Sequence, residues 1–89
     1  MRYIPRPVAI DAIYYDNTPE RLSKLKEWVE SFGDVFVDHF DAEAEGQLVV
    51  FTLEGTSYAV PNNYYIIRGL KGEYYPCEGE IFNLKYMVA

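Results

Sequence analysis

The spacing of apolar residues predicts one helix near the N-terminus. Between residues 18 and 32 the apolar side chains recur at helical intervals: Leu22, Leu25, Trp28 or Val29, and Phe32. Thr18 is suited to cap the first turn, Pro19 to occupy the first helical position, and Gly33 to end the helix in a left-handed conformation. We therefore expect a helix over about 18–32 that packs its apolar face on a sheet.

Outside this helix, short apolar runs and alternating patterns predict strands. The strand segments are 7–15, 34–40, 47–55, 56–62, 64–70, 73–77 and the end of 79–88. In the segment 34–40, Val35 and Val37 would share one face. Turns at Glu54-Gly55 and Lys71-Gly72 predict two hairpins, and 79–88 would begin with a turn or a short helical piece.

These elements predict a single α+β domain over residues 1–89. The sheet would be strongly curved and antiparallel, or a small, partly open barrel of six to seven strands, packed with one α-helix. In the predicted core, Leu22, Leu25, Trp28 and Phe32 would face a set of residues from the sheet: Val49, Phe51, Ile66 or Ile67, and Phe82.

Tyrosine supplies nine of the fifteen Phe, Trp and Tyr residues, and six of the nine form Tyr-Tyr doublets. Because successive strand residues point to opposite faces, each doublet should send one ring to the core and one to solvent. The outward rings of Tyr64, Tyr65, Tyr74 and Tyr75 are candidates for a binding surface.

The net charge of −6 comes from one segment. Bases and acids balance, five against five, in residues 1–33, and three against three in residues 57–89. Residues 34–56 contain no Lys or Arg and six acids: Asp34, Asp38, Asp41, Glu43, Glu45 and Glu54. Such a chain is poorly suited to bind nucleic acid or an anionic membrane directly, whereas a basic protein partner fits it.

No apolar run approaches the ~20 residues that span a bilayer, so we expect a cytosolic protein.

The residues give little support to catalysis. Cys77 is the sole cysteine and His39 the sole histidine, and nothing in the sequence brings them together. The glycines of "RGLKGE" lack the spacing of a phosphate loop, and a single histidine among acids is a weak metal signal. We therefore predict no catalytic residue, no metal, no cofactor and no enzymatic activity.

The C-terminal half, "FTLEGTSYAVPNNYYIIRGLKGEYYPCEGEIFNLKY", resembles a family of small proteins common in bacteriophages and prophages. The resemblance lies in "TLEG", in "IIRGLKGEYYPC", in the following "IF" and in the opening "RPVAIDAI". The chain departs from the family pattern where Asn62-Asn63 replaces Gly-Asp and where Glu78-Gly79-Glu80 replaces Lys-Pro-Asp. The resemblance implies a phage accessory protein that acts in the host cytoplasm, and it implies no activity.

The first functional hypothesis is a non-enzymatic inhibitor of a host antiviral system, of the anti-CRISPR or a similar anti-defence type. It would bind a basic, nucleic-acid-binding surface of a host protein through the carboxylates of Asp34, Asp38, Asp41, Glu43 and Glu45, with tyrosine rings as anchors.

Two alternatives stay open at the level of sequence. One is a nucleotide-like ligand binder, whose phosphate contacts would come from Arg2, Arg6, Arg68 and Lys71. The other is a virion assembly accessory. An exposed edge strand would also permit pairing with a second copy.

Overall fold

The computed structural model of this protein describes residues 1–3, 8–42, 48–59 and 64–87. In these ranges it contains six strands and three helices. In chain order they are β1 (Asp11–Tyr15), α1 (Pro19–Ser31), α2 (Phe36–His39), β2 (Phe40–Ala42), β3 (Leu48–Thr52), β4 (Gly55–Ala59), β5 (Tyr64–Arg68), β6 (Tyr74–Glu78) and α3 (Gly79–Lys85). The predicted α+β class is confirmed.

The strands form two antiparallel sheets of three strands each, and neither sheet closes into a barrel. Sheet A has the order β1-β5-β6, and sheet B has the order β2-β3-β4. Both predicted hairpins are present, β3–β4 in sheet B and β5–β6 in sheet A. The β5–β6 turn contains Gly72 at φ +79°, a left-handed conformation that favours glycine.

Helix α1 begins and ends where the sequence predicts. Thr18 Oγ1 accepts a hydrogen bond from the Arg21 amide, and Pro19 occupies the first turn. The Gly33 amide donates to the Glu30 carbonyl with φ +83°, which is the predicted left-handed termination.

The core lies between α1 and the inner faces of the two sheets. Its buried members are Tyr15, Leu25, Val29, Phe36, Phe40, Leu48, Val50, Ile66 and Tyr74, with Ile13, Leu22 and Trp28 packed against them. Two predicted core residues lie outside this cluster, Val49, which is nevertheless buried, and Phe32, which is half-buried. Two further predicted core positions are wrong. Phe51 lies on the outer face of β3 and is 41% exposed. Phe82 stacks on Tyr65, on the side of sheet A where α3 packs.

The segment 34–40 was predicted as a strand, and this is wrong, because Phe36–His39 is a short helix. One helical turn brings Phe36 and Phe40 to the same side, where both are buried and their rings stack at 5.0 Å. Val35 and Val37, which were expected to share one face of a strand, are 55% and 70% exposed. The burial of two phenylalanine rings therefore outweighs the strand preference of the two valines.

The two ends of the chain also differ from the prediction. Strand β1 begins at Asp11, while residues 8–10 are not in a strand and residue 7 lies outside the described residues. The segment 79–85 is the helix α3, and Tyr86 and Met87 do not form the last strand that was expected. Within the described ranges, no helix is both long enough and apolar enough to cross a membrane.

Candidate binding surface

Asp34 is the first acid of the charged segment 34–56, and the structure gives it internal partners. The Tyr74 hydroxyl donates a 2.6 Å hydrogen bond to Asp34 Oδ2, and Arg68 Nε lies 3.7 Å from the same oxygen. The Asp34 and Arg68 side chains are half-buried, and the Arg68 guanidinium also lies 4.5 Å from the centre of the Phe32 ring. Asp34 therefore links the α1–α2 connection to sheet A. We no longer count it among the predicted partner-binding residues.

Tyr74 was predicted as a partner-binding residue, and this is wrong, because its side chain is 0% exposed. It lies opposite Arg68 in the β5–β6 register, on the face of sheet A that packs against α1. The rings of His39, Phe40 and Trp28 lie 4.8, 5.3 and 5.8 Å from it. Burial, and then the hydrogen bond to Asp34, raises the pKa of Tyr74 to about 12, so the phenol stays a donor.

The other predicted tyrosines are half-buried rather than fully exposed. Tyr65 stacks on Phe82 of α3 with 3.9 Å between ring centres, and it meets Tyr14 edge-on at 5.5 Å. Burial, followed by the neighbouring Tyr86, raises the pKa of Tyr75 to about 12. Because α3 packs against β5 and β6, the outward rings of sheet A are partly covered.

The one-in, one-out prediction holds for two of the three doublets. Tyr15 and Tyr74 are buried, while their neighbours Tyr14 and Tyr75 are half-buried. In the third doublet both Tyr64 and Tyr65 are half-buried. Tyr64 is the first residue of β5 and lies opposite Glu78 of β6 and Tyr15 of β1.

Asp38 and Asp41 are exposed on the connected elements α2 and β2. Asp41 pairs with Val49 in the β2–β3 register, so Phe51 is its diagonal neighbour, about 7–8 Å away on the outer face of sheet B. Val37, next to Asp38, is exposed as well. We call Val37, Asp38, Asp41 and Phe51 the acidic–apolar face. Sequence reasoning did not identify its two apolar members, because it assigned Phe51 to the core and placed Val37 on a strand face without saying whether that face is exposed.

The remaining acids of the segment are distributed differently. Glu43 and Glu45 lie outside the described residues. Glu54 is exposed on the turn between β3 and β4. The tight loop holds it there, since Thr52 Oγ1 donates a 2.6 Å hydrogen bond to the Gly55 carbonyl and accepts one from the Glu54 amide.

The four bases considered for phosphate binding do not form one described site. Arg6 lies outside the described residues, and Arg2 is exposed near the chain start. Arg68 is held by Asp34 and by the Phe32 ring, while Lys71 is exposed in the β5–β6 turn.

A cleft of about 600 Å³ lies between the β3–β4 hairpin and the beginning of β6. Its walls contain the carboxylates Glu54 and Glu73, the hydroxyls of Thr52, Thr56 and Ser57, and the side chains of Tyr75 and Pro76. No lysine, arginine or histidine lines it among the described residues. Sequence reasoning missed this cleft, because its two walls, 52–57 and 73–76, are separated along the chain and belong to different sheets.

The arrangement brings no recognisable reactive pair together in the part of the chain described here. His39 packs edge-on against Tyr74, whereas the Cys77 thiol lies 3.6 Å from the Glu78 carbonyl oxygen. Burial raises the pKa of the Cys77 thiol, which lowers its thiolate fraction. Among the described residues no group of three or more His, Cys, Asp or Glu side chains is placed to hold a metal ion.

Comparisons with family models, with curated proteins and with solved structures found no match for this chain.

Proposed function

We propose that this chain is a non-enzymatic accessory protein of a bacteriophage, and that it inhibits a host antiviral defence system by binding a basic protein surface. The observation that carries the proposal is the acidic–apolar face. On the consecutive elements α2 and β2 and on the neighbouring strand β3, the carboxylates of Asp38 and Asp41 and the side chains of Val37 and Phe51 are all exposed.

The composition of this face suits a protein partner. Protein interfaces combine an apolar centre, which loses water on binding, with charged groups at the periphery that orient the partner and speed the encounter. The surrounding segment 34–56 contains no Lys or Arg, and among its described acids only Asp34 forms an ion pair with a base from elsewhere, so its field attracts a basic surface. The Asp34 carboxylate, which is paired inside the fold, is not part of this surface.

The partner class follows from this charge. Nucleases and other nucleic-acid-binding defence proteins present basic channels, and carboxylates on a fixed surface can occupy them in place of phosphates. The phage-like motifs "TLEG" and "IIRGLKGEYYPC" support the same context, with the host cytoplasm as the place of action. The geometry favours neither nucleotide binding through Arg68, which is already paired, nor a role in the virion.

The test compares two double variants that change the net charge by the same amount. Asp38→Lys/Asp41→Lys alters the acidic–apolar face, and Glu27→Lys/Glu30→Lys alters exposed acids of α1. Each is expressed in bacteria that carry a nucleic-acid-targeting defence system, and phage plating is measured. We expect the wild type and the α1 variant to restore plaques, and the Asp38/Asp41 variant to lose this activity.

Direct binding completes the test. The purified defence protein should bind the wild type at low salt, release it at high salt, and fail to bind the Asp38/Asp41 variant. Equal plating by the folded Asp38/Asp41 variant would show that another surface acts. Failure of the wild type against every defence system tried would reject the inhibitor function itself.

A further inference from the structure

Helix α3 carries apolar side chains on two sides. The Phe82 ring stacks on Tyr65 of sheet A, and the Tyr86 ring lies beside it with 5.0 Å between ring centres. Away from this contact, Ile81 and Leu84 are 44% and 87% exposed. Helix α1, by contrast, keeps all four of its large apolar side chains buried or half-buried. A surface helix ordinarily turns polar residues to solvent, so the outer side of α3 is that of a helix with a further partner.

The geometry of the helix places one charge on each border of this apolar strip. At about 100° per residue, Ile81 and Leu84 share one side of α3, and the flanks of that side are taken by Glu80 and Lys85. Both charged side chains are exposed, and neither belongs to the two ion pairs that the described residues form. These four residues, which we call the outer face of α3, therefore present an apolar centre between an unpaired acid and an unpaired base.

The order of the four residues is that of a helix-pairing seam. In a heptad labelled abcdefg, positions g, a, d and e are taken by Glu80, Ile81, Leu84 and Lys85. Isoleucine at a and leucine at d favour two parallel helices, in which position g of one helix faces position e of the other. A second copy of α3 therefore brings its base to Glu80 and its acid to Lys85. Phe82 and Tyr86 take positions b and f, which face away from such a seam, so the packing of α3 on sheet A is kept.

We infer that the outer face of α3 binds the same face of a second copy of this chain, with the two helices parallel about a two-fold axis. The charges select this occupant, because one acid and one base five residues apart make the face complementary to itself. One short helix per copy buries well under the ~1,200 Å² of a standard interface, so the dimer is weak, with a dissociation constant on the order of 0.1 mM. The inference is independent of the proposed function, whose surface is formed by α2, β2 and β3.

Sedimentation equilibrium over a dilution series measures the dimer, with Leu84→Asp as the disruptive variant. A carboxylate in the apolar centre of the seam should weaken association by at least about tenfold. Leu53→Asp makes the same change at an exposed leucine of the β3–β4 turn and should leave association unaltered. Circular dichroism checks that both variants fold. A wild type that remains monomeric at millimolar concentration, or equal weakening by the two variants, would overturn the inference.

Charge reversal tests the two ion pairs of the seam. Glu80→Lys and Lys85→Glu each replace two attractive contacts by two repulsive ones, so each should weaken association about tenfold. The double variant Glu80→Lys/Lys85→Glu restores both attractive contacts and should associate like the wild type. An equimolar mixture of the two single variants restores them as well, because one copy then carries two bases and the other two acids. Failure of the double variant to recover association would contradict the pairing.

The net charge separates this result from general repulsion between copies. Glu80→Lys changes the net charge from −6 to −4, and Lys85→Glu changes it to −8. If general repulsion governed association, Glu80→Lys would strengthen it, which would overturn the inference. Amide NMR signals of the wild type should shift with dilution at Gly79–Lys85. Shifts confined to β1 would place the contact on that edge strand of sheet A and reject the seam.

Discussion

Tyr74 occupies a central place in this small core, where it contacts both α1 and the α2–β2 segment. Its ring contacts α1 through Trp28, the α2–β2 segment through His39 and Phe40, and its hydroxyl reaches Asp34 across 40 residues of sequence. A tyrosine side chain can pack in the core and also donate a hydrogen bond, because its ring is apolar and its hydroxyl is a donor.

We expect Tyr74→Phe to lower the free energy of unfolding by about 1–2 kcal/mol, because Asp34 loses its donor while the ring packing is kept. Urea unfolding measures the loss. Tyr65→Phe, for which no hydroxyl hydrogen bond is seen among the described residues, should change stability by less than about 0.5 kcal/mol. In a double-mutant cycle with Asp34→Asn, a coupling near zero would contradict the assigned contact.

The raised pKa of Tyr74, about 12 against an ordinary value of 10.0, makes stability depend on alkaline pH. The folded state holds its proton more tightly than the unfolded state, so this contribution is complete below pH 10 and is lost as the pH rises towards 12. Thermal unfolding measured against pH should decline in that window, and tyrosinate absorbance should appear with unfolding. Tyr74→Phe should reduce this decline of stability with rising pH. If the decline is unchanged in the variant, another group causes it, and Tyr75, whose pKa is also raised, is the first candidate.

At the scale of elements, α1 carries its own start signal. Asp16, Asn17 and Thr18 form the turn before it: the Thr18 hydroxyl donates to Asp16, and the Tyr15 hydroxyl donates to Asn17. We expect Thr18→Ala to lower the unfolding free energy by about 1 kcal/mol, because the Arg21 amide loses its acceptor. Ser23→Ala, on an exposed position of the same helix, is the control and should be neutral or slightly stabilising.

Helix α2 provides the sharpest test of an element, because the sequence pattern and the structure disagree there. We expect Phe36→Ala to cost about 3–4 kcal/mol, since it empties a buried site beside Phe40, and Val37→Ser to cost less than about 0.5 kcal/mol. Denaturant unfolding of both variants measures the two losses of unfolding free energy. A strand with Val35 and Val37 inward would give the opposite order.

For the whole molecule, a net charge of −6 is concentrated in 34–56 and works against compaction. The variant Asp38→Lys/Asp41→Lys relieves part of this repulsion at exposed sites, so its unfolding free energy should stay within about 0.5 kcal/mol of the wild type. Circular dichroism and urea unfolding check this. A large loss of stability would mean that these acids support the fold, and a loss of binding could then not be assigned to the acidic–apolar face.

The sequence by itself determined the features that depend on neighbouring residues. Helix α1, with its cap at Thr18 and its stop at Gly33, follows from local hydrogen bonds and backbone conformation, as do the two hairpins. The concentration of acids in one segment is likewise a property of composition.

Only the tertiary structure decided which side chains are available to a partner. Phe36 and Phe40 are buried together in the core, and the backbone conformation that buries them leaves Val37 exposed. Asp34 and Tyr74 look like surface groups in the sequence, yet they meet across the core, and the cleft beside Glu54 forms where two sheets come together. Burial is a competition among all apolar groups of the chain for a limited interior, so no local pattern can fix its outcome.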